Sequence, residues 1–364
     1  MLQAVLQKVK EKMPNALFVM EHSINTPREK HLENGICTKL KFKRFSPLKY
    51  LFAVIPGVLL KRWSYIPEKK IDVVLDCSGY AYCDRWGAKK ASVKLGNHIE
   101  RWKKQGKKVI MLPQAFGPFT DSDLAKVMKH IIAYADLIYA RDPVSFEYLK
   151  QASGETNNIN YAPDFTNLIK GIVPQNFDDS TCEVAIIVNN KMLKAREFNE
   201  SESYVNLLVR IINVVRDLNH KPFFLIHEIK KDIGVMESVQ QKLTIKLPAI
   251  VESNPLYVKG IISKSVAVIT SRFHGLVSAL SQAVPCLATS WSHKYEMLLQ
   301  DYNYSEALLE AHCDDESLIR KISFILHEPS RSVIIEKLRA EAIKQKELSE
   351  EMWRRVFKKM QVIQ

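Results

Sequence analysis

The stretch VITSRFHGLVSALSQAVPCLATSWSHKYEML, residues 268–298, decides the fold. An apolar run over 266–271 stops at a turn holding Arg272 and His274, and Gly275 opens an apolar helix over 274–283 packed through Leu276, Leu280 and Ala283. A second apolar run, 285–290, follows, and Lys294 opens the next helix. Strand, helix, strand at this spacing is the pattern of a parallel sheet covered by helices. Ligands of such sheets lie beyond the carboxyl ends of the strands. Ser271, Arg272, His274 and Lys294 are placed there, so an anionic ligand is expected. Arginine offers a fork for carboxylate or phosphate, and histidine exchanges a proton near neutral pH. A histidine alone at a helix start commonly serves structure; beside Arg272 at a strand end, His274 reads as functional. His293 is a weaker candidate.

The same alternation extends both ways along the 364 residues, a length beyond what one core usually spans. In the first half, strands are expected at 16–20, 72–78, 108–114, 137–142 and 159–164, and helices at about 2–13, 88–105, 121–134 and 143–152. The polar segment 170–183, KGIVPQNFDDSTCE, reads as a linker. Strands then fit 184–190, 222–228, 266–271 and 285–290; helices fit 202–218, 233–243, 255–263, 274–283, 294–301, 315–326 and 333–359. The expected architecture is α/β: two Rossmann-like, doubly wound domains, 1–172 and 183–330, with an interdomain cleft and a C-terminal helix over 331–364.

Apolar residues make up 46% and charged residues 26%, so a soluble globular chain without long disorder is expected. Lys and Arg number 53 against 40 Asp and Glu, a formal charge of +13 that favours anionic partners. Much of the surplus lies in residues 39–70, where Lys39, Lys41, Lys43, Arg44, Lys49, Lys61 and Arg62 flank YLFAVIPGVLL. That segment has no RNA-module motif, so nucleic acid is not expected as a partner. It reads either as part of the N-terminal domain's packing or as a peripheral contact with an anionic membrane surface. The apolar core LFAVIPGVLL is too short to span a bilayer and contains Pro56. The six cysteines form no CxxC pair or zinc spacing, and the first twenty residues lack a signal-peptide pattern. A reducing, cytoplasmic location and no metal are expected.

Three further motifs fall at strand ends. VVLDCSGYAYCDRWG, 73–87, runs from a strand into a loop with Ser78, Gly79 and Asp84; it is neither GxGxxG nor a Walker sequence, which argues against a dinucleotide or ATP site. MLPQAFGPF, 111–119, places Gln114 where it could bond a sugar hydroxyl, ahead of the Gly117-Pro118 turn. LIYARDPVSFEYL, 137–149, ends a strand at Arg141, with Asp142 as N-cap and Pro143 in the first helical turn. Arg141 there suits phosphate or carboxylate, or an ion pair with Asp142 or Asp164.

Together, SRFHGLVSALSQAVPCLATSWSHKYEML, ARDPVSFEYL, YAPDF and DCSGYAYCDRWG resemble the polysaccharide pyruvyltransferase family over about residues 70–302. The most specific part is the Arg-x-His turn with a lysine twenty residues beyond the histidine. The resemblance implies a GT-B-like pair of Rossmann domains. It implies phosphoenolpyruvate as donor and, as acceptor, a cell-surface glycan or its lipid-linked precursor. It places Arg141, Arg272, His274 and Lys294 around phosphoenolpyruvate, with His274 as acid/base group and no cofactor. Family members open with a strand and a Gly/Asn-rich loop ahead of the first helix. This sequence starts in the helix, so that strand and loop are expected to be missing from it. Two rival readings are a GT-B glycosyltransferase using a nucleotide sugar and a degenerate, non-catalytic homologue.

Overall fold

In a computed structural model, residues 1–22, 27–40, 55, 57–154, 156–194, 201–290 and 293–361 are described. The strands, in chain order, are β1 (Phe18–Met20), β2 (Ile36–Leu40), β3 (Tyr65–Pro67), β4 (Val73–Asp76), β5 (Lys108–Gln114), β6 (Leu137–Ala140) and β7 (Ile159–Tyr161). They continue with β8 (Val184–Ile187), β9 (Pro222–Ile226), β10 (Ala249–Val251), β11 (Ala267–Thr270), β12 (Cys286–Thr289) and β13 (Leu308–Leu309). The chain divides into one unit of Met1–Tyr161 with Trp353–Gln364 and another of Ala162–Met352.

The second unit carries a six-stranded parallel sheet in the order β10-β9-β8-β11-β12-β13. Every residue of β8, β9, β11 and β12 is buried. Strands covered by helices on both faces need such unbroken apolar runs, which is why their sequences do not alternate. The helices start where the residue chemistry allows: Asn254 caps Pro255–Lys264 by accepting from Leu256 N at 2.9 Å, and Asp314 caps Asp315–Leu326 by accepting from Ser317 N at 2.7 Å.

The first unit carries a three-stranded sheet, β1-β2-β3, and a four-stranded sheet, β4-β5-β6-β7, both parallel. Asp142 caps Pro143–Ser153 through Ser145 N at 2.7 Å, as the Asp-Pro pair predicts. The single helix expected over 88–105 is three pieces, Gly87–Ala91, a π-turn at Ser92–Gly96 and Ile99–Lys104. Within the segment 39–70, residues 41–54 and 56 lie outside the described residues; of the expected membrane-facing stretch, Gly57–Arg62 is described and forms a short helix. Lys39 pairs with Glu21 at 2.9 Å and Glu68 at 2.8 Å and lies over the Trp102 ring, which gives it a packing role. No helix among the described residues is long and apolar enough to cross a membrane.

The unit boundary falls at residue 161, ahead of the expected linker at 170–183, and the bonding of the intervening segment explains it. Phe165 is fully buried, the Asn167 side chain donates to the Gln345 carbonyl at 3.0 Å, and Ile172 N donates to the Leu256 carbonyl at 2.9 Å. Two glycines permit that approach: a Cβ on Gly171 would lie 2.4 Å from Gly260 N, and one on Gly260 would lie 2.0 Å from the Ile172 carbonyl oxygen. In an open helix Gly→Ala stabilises by about 1 kcal/mol. Here the backbone clash wins, and Gly260→Ala is expected to destabilise the protein by about 1–3 kcal/mol in chemical denaturation.

Candidate active site

The strand order of the second unit reverses between β8 and β11, the kind of point where open α/β sheets take their ligands. Thr270 lies opposite Ile187, and Ser271 N donates to the Ile187 carbonyl at 2.9 Å. Segments 188–190 and 271–274 therefore leave the sheet side by side. A buried hydroxyl chain fixes this edge. Ser271 Oγ lies 2.6 Å from both Tyr204 Oη and Thr289 Oγ1. The Ser271 carbonyl accepts from Tyr295 Oη at 2.9 Å and from Asn189 Nδ2 at 2.8 Å. Ser271, only 1% exposed, holds the turn's shape and does not present its hydroxyl outward.

Helix Phe273–Leu280 begins at once after the turn. It stops earlier than the expected 283, because the chain turns there and Ala283 adopts φ +57°. Gly275 lets its first turn press on β11: a Cβ would lie 2.7 Å from Thr270 Oγ1. His274 is half exposed, and its Nε2 stands 3.7 Å from Asp164 Oδ2. Lys294, at the start of helix Lys294–Asp301, is largely buried with its Nζ 5.3 Å from the Phe273 ring centroid.

Arg272 has a partner that local sequence did not show. Its Nη2 is bonded to Asp232 Oδ2, its Nη1 lies 3.7 Å from Glu228 Oε2, and its Nε donates to the Val188 carbonyl at 3.4 Å. Asp232 is 1% exposed and also accepts from Asn190 N at 3.0 Å, which ties Arg272 to the end of β8. Burial, and then the Arg272 charge, push the neighbouring His227 down to about 4, so it is neutral at physiological pH. An anionic ligand at this edge therefore meets a guanidinium already matched by carboxylates.

Buried Lys259 lies behind the turn, and its Nζ donates to the Thr166 carbonyl at 2.9 Å. Burial, followed by the Lys346 charge and opposed by Asp164, pushes it down to about 8. From about pH 8 to the ordinary value of 10.5, the unfolded lysine binds a proton that the folded one has released. Stability must then rise with pH across that window. The unfolding free energy of wild type relative to Lys259→Met is expected to climb there by up to about 1.4 kcal/mol per pH unit. A flat difference across that window would contradict the burial argument.

In the first unit, the loops after β4 and β5 run together: Ala115 N donates to the Gly79 carbonyl at 2.9 Å, and Gly117 N donates to the Tyr82 carbonyl at 2.8 Å. Gly79 (φ +78°) uses a conformation that favours glycine. Ser78 Oγ, Tyr82 Oη (2.8 Å) and Gln114 Nε2 (3.1 Å) all donate to the Asp76 carboxylate. Arg141, 5% exposed, is joined to this cluster through its N–H, which donates to the Gln114 carbonyl at 3.1 Å. Asp84 stands apart. Its carboxylate accepts from Thr120 Oγ1 at 2.6 Å, Thr120 N at 3.0 Å and Asp121 N at 3.2 Å, so its oxygens fasten a loop.

Each unit thus gathers its own candidates at a sheet's carboxyl edge: Ser78, Gly79, Gln114 and Arg141 in the first, Ser271, Arg272, His274 and Lys294 in the second. Sequence reasoning missed Asp76, Asp232 and the Asp164–His274 pairing. Asp76 ends a strand and was within reach of a sequence reading; Asp232 lies forty residues before Arg272, in the first turn of helix Ile229–Lys242, with no local signal of that pairing.

Solved structures share this fold. HepE of Anabaena, solved with UDP and glucose, is 12% identical over 98% of this chain and 95% of its own, with a TM-score of 0.61. UDP-GlcNAc 2-epimerase from Neisseria meningitidis, bound to UDP-GlcNAc, is 10% identical over 98% and 95%, with a TM-score of 0.56. The spinosyn forosaminyltransferase SpnP is 11% identical over 99% and 95%, with a TM-score of 0.53. At these identities the likeness is one of fold, the two-unit Rossmann-like α/β class described as GT-B-like. The family model for polysaccharide pyruvyl transferase matches residues 1–293, ending just before Lys294. That match takes in both candidate edges up to the β11 turn and its helix, and by it the chain belongs to the polysaccharide pyruvyl transferase family and is a transferase.

Proposed function

We propose that the protein transfers a pyruvyl group from phosphoenolpyruvate to two hydroxyls of a cell-surface glycan or its lipid-linked precursor, forming a pyruvate ketal. The observation that carries this reading is His274, half exposed at the reversal point of the sheet and backed by a buried carboxylate. The reaction needs such a group. The enol carbon of the donor takes up a proton, one acceptor hydroxyl bonds to the adjacent carbon, and phosphate leaves. The second hydroxyl then bonds to the same carbon. Of the two hydroxyl protons, one balances that gained by the methyl group and the other leaves with phosphate. His274 is the acid and base of these transfers. Arg272 and Lys294 bind the donor's anionic groups, as does Arg141 by the family resemblance. Ser78, Gly79 and Gln114 are assigned to the acceptor.

A second reading is a glycosyltransferase using a nucleotide sugar; the matching of the Arg272 charge by Asp232 and Glu228 weighs against the first reading, because phosphoenolpyruvate needs several fixed cations. Thermal denaturation separates the two. Phosphoenolpyruvate is expected to raise the melting temperature and UDP-sugars to leave it unchanged; the reverse result supports the second reading. A lipid-linked acceptor also fits a cytoplasmic protein docked by the basic segment 39–70. Co-sedimentation with anionic, but not neutral, liposomes is the expected result, and no binding at low salt would remove that element.

A further inference from the structure

Asp164, read from the sequence only as a possible partner of Arg141 and as part of YAPDF, stands beside His274. It caps the short helix Phe165–Leu168, with Oδ1 accepting from Thr166 N at 3.1 Å and Thr166 Oγ1 at 2.6 Å. Those two bonds fix the plane of the carboxylate. Oδ2 stands 3.7 Å from His274 Nε2, on a side chain only 2% exposed. The capped turn is itself braced by Lys259, whose Nζ donates to the Thr166 carbonyl at 2.9 Å. The Phe273 ring meets the imidazole edge-on at 5.7 Å. The imidazole thus has a fixed anion on one side and an aromatic ring at right angles on another.

We propose that Asp164 is the positioning residue for His274: it holds the Nε2 edge of the ring and stabilises the imidazolium, so that Nδ1 is the nitrogen that exchanges protons with a bound substrate. Its catalytic consequence rests on the pyruvyl-transfer reading; the pairing itself does not. An anion behind a histidine favours the charged ring and selects one tautomer of the neutral ring. Other ionisable groups lie on the elements around the helix of His274. Lys259 is turned to the Thr166 carbonyl, and Lys294 sits over the Phe273 ring. Arg272 is paired with Asp232 and Glu228. Tyr295 Oη donates to the Ser271 carbonyl, and the Cys286 thiol and the Tyr302 phenol are buried, which pushes both up and keeps them neutral. Tyr257, Lys264, Glu296 and Asp301 lie on the neighbouring helices. Asp164 Oδ2 stands at ion-pair distance from the ring, 3.7 Å from Nε2.

The test is nuclear magnetic resonance on the full-length protein with labelled histidines, read beside kinetics. In Asp164→Asn, which keeps the shape and removes the charge, the titration midpoint of the His274 ring is expected to fall by about one pH unit relative to wild type. Superimposable midpoints would overturn the proposal. Wild type supplies a reading that does not depend on the variant folding: the nitrogen resonances of neutral His274 should place the proton on Nε2, and a proton on Nδ1 would overturn it. With phosphoenolpyruvate and acceptor, Asp164→Asn is expected to lose about tenfold in kcat, the equivalent of one unit of pKa, with the donor KM held. The limb at which activity falls with rising pH should move to lower pH. A variant with wild-type kcat and an unmoved limb would remove the catalytic role. Absence of turnover in wild type would count against pyruvyl transfer, and the ring titration would still decide the pairing.

Discussion

Replacing His274 by alanine is expected to lower turnover by about 10²- to 10⁴-fold, the usual contribution of a general acid–base group, while the KM for phosphoenolpyruvate changes little. The split follows from the geometry. His274 emerges on the first turn after β11, half exposed, and its Nε2 stands 3.7 Å from Asp164 Oδ2. It is placed to exchange a proton with something outside the fold, and its removal leaves the hydroxyl chain through Ser271 in place. Loss of the Asp164 pairing should therefore cost no more than about 1.4 kcal/mol of stability, the equivalent of one unit of pKa. A variant that loses donor affinity in proportion to turnover would show His274 to be a binding residue.

Replacing Arg272 by alanine has a different expected signature, because its effect is first on the fold. The guanidinium neutralises Asp232, whose side chain is only 2% exposed. Removing one partner of a buried ion pair leaves the other as an uncompensated charge, a loss of about 3–5 kcal/mol. Asn190 N donates to the same carboxylate at 3.0 Å, which softens that loss without replacing the charge. Arg272→Ala should therefore melt well below wild type. The double variant Arg272→Ala, Asp232→Asn should regain most of the stability without regaining donor affinity, which separates the two roles of Arg272. If the single variant is as stable as wild type, the pair is not the structural element described. If the double variant binds donor normally, Arg272 is not a ligand of the donor.

The fold was legible where burial is two-sided or caps are unambiguous. β5 runs over Lys108–Gln114 and helices Lys294–Asp301 and Asp315–Leu326 span the ranges read from the sequence, because long apolar runs and the Asp314 cap leave little choice. The strands that escaped, β2, β3, β10 and β13, are five residues or fewer, and Ala249–Val251 is an exposed edge with no buried run to mark it. Asp-Pro at 142–143 announced a helix start beside Arg141, and Arg-x-His at 272–274 announced the turn. Sequence did not reveal what those side chains would touch. The Asp232 pairing joins a residue in the first turn of helix Ile229–Lys242 to a turn forty positions later, and Asp164 reaches His274 from 110 positions earlier in the chain. Such contacts are made by topology and leave no periodicity to read.

The central claim, pyruvyl transfer at the β11 edge, is tested most directly by incubating the purified protein with phosphoenolpyruvate and candidate glycan or lipid-linked acceptors bearing a pair of neighbouring hydroxyls. The predicted result is acceptor-dependent release of one phosphate per new pyruvate ketal, abolished in His274→Ala. Turnover of a nucleotide sugar by the wild-type protein, with phosphoenolpyruvate left intact across the same acceptors, would contradict it.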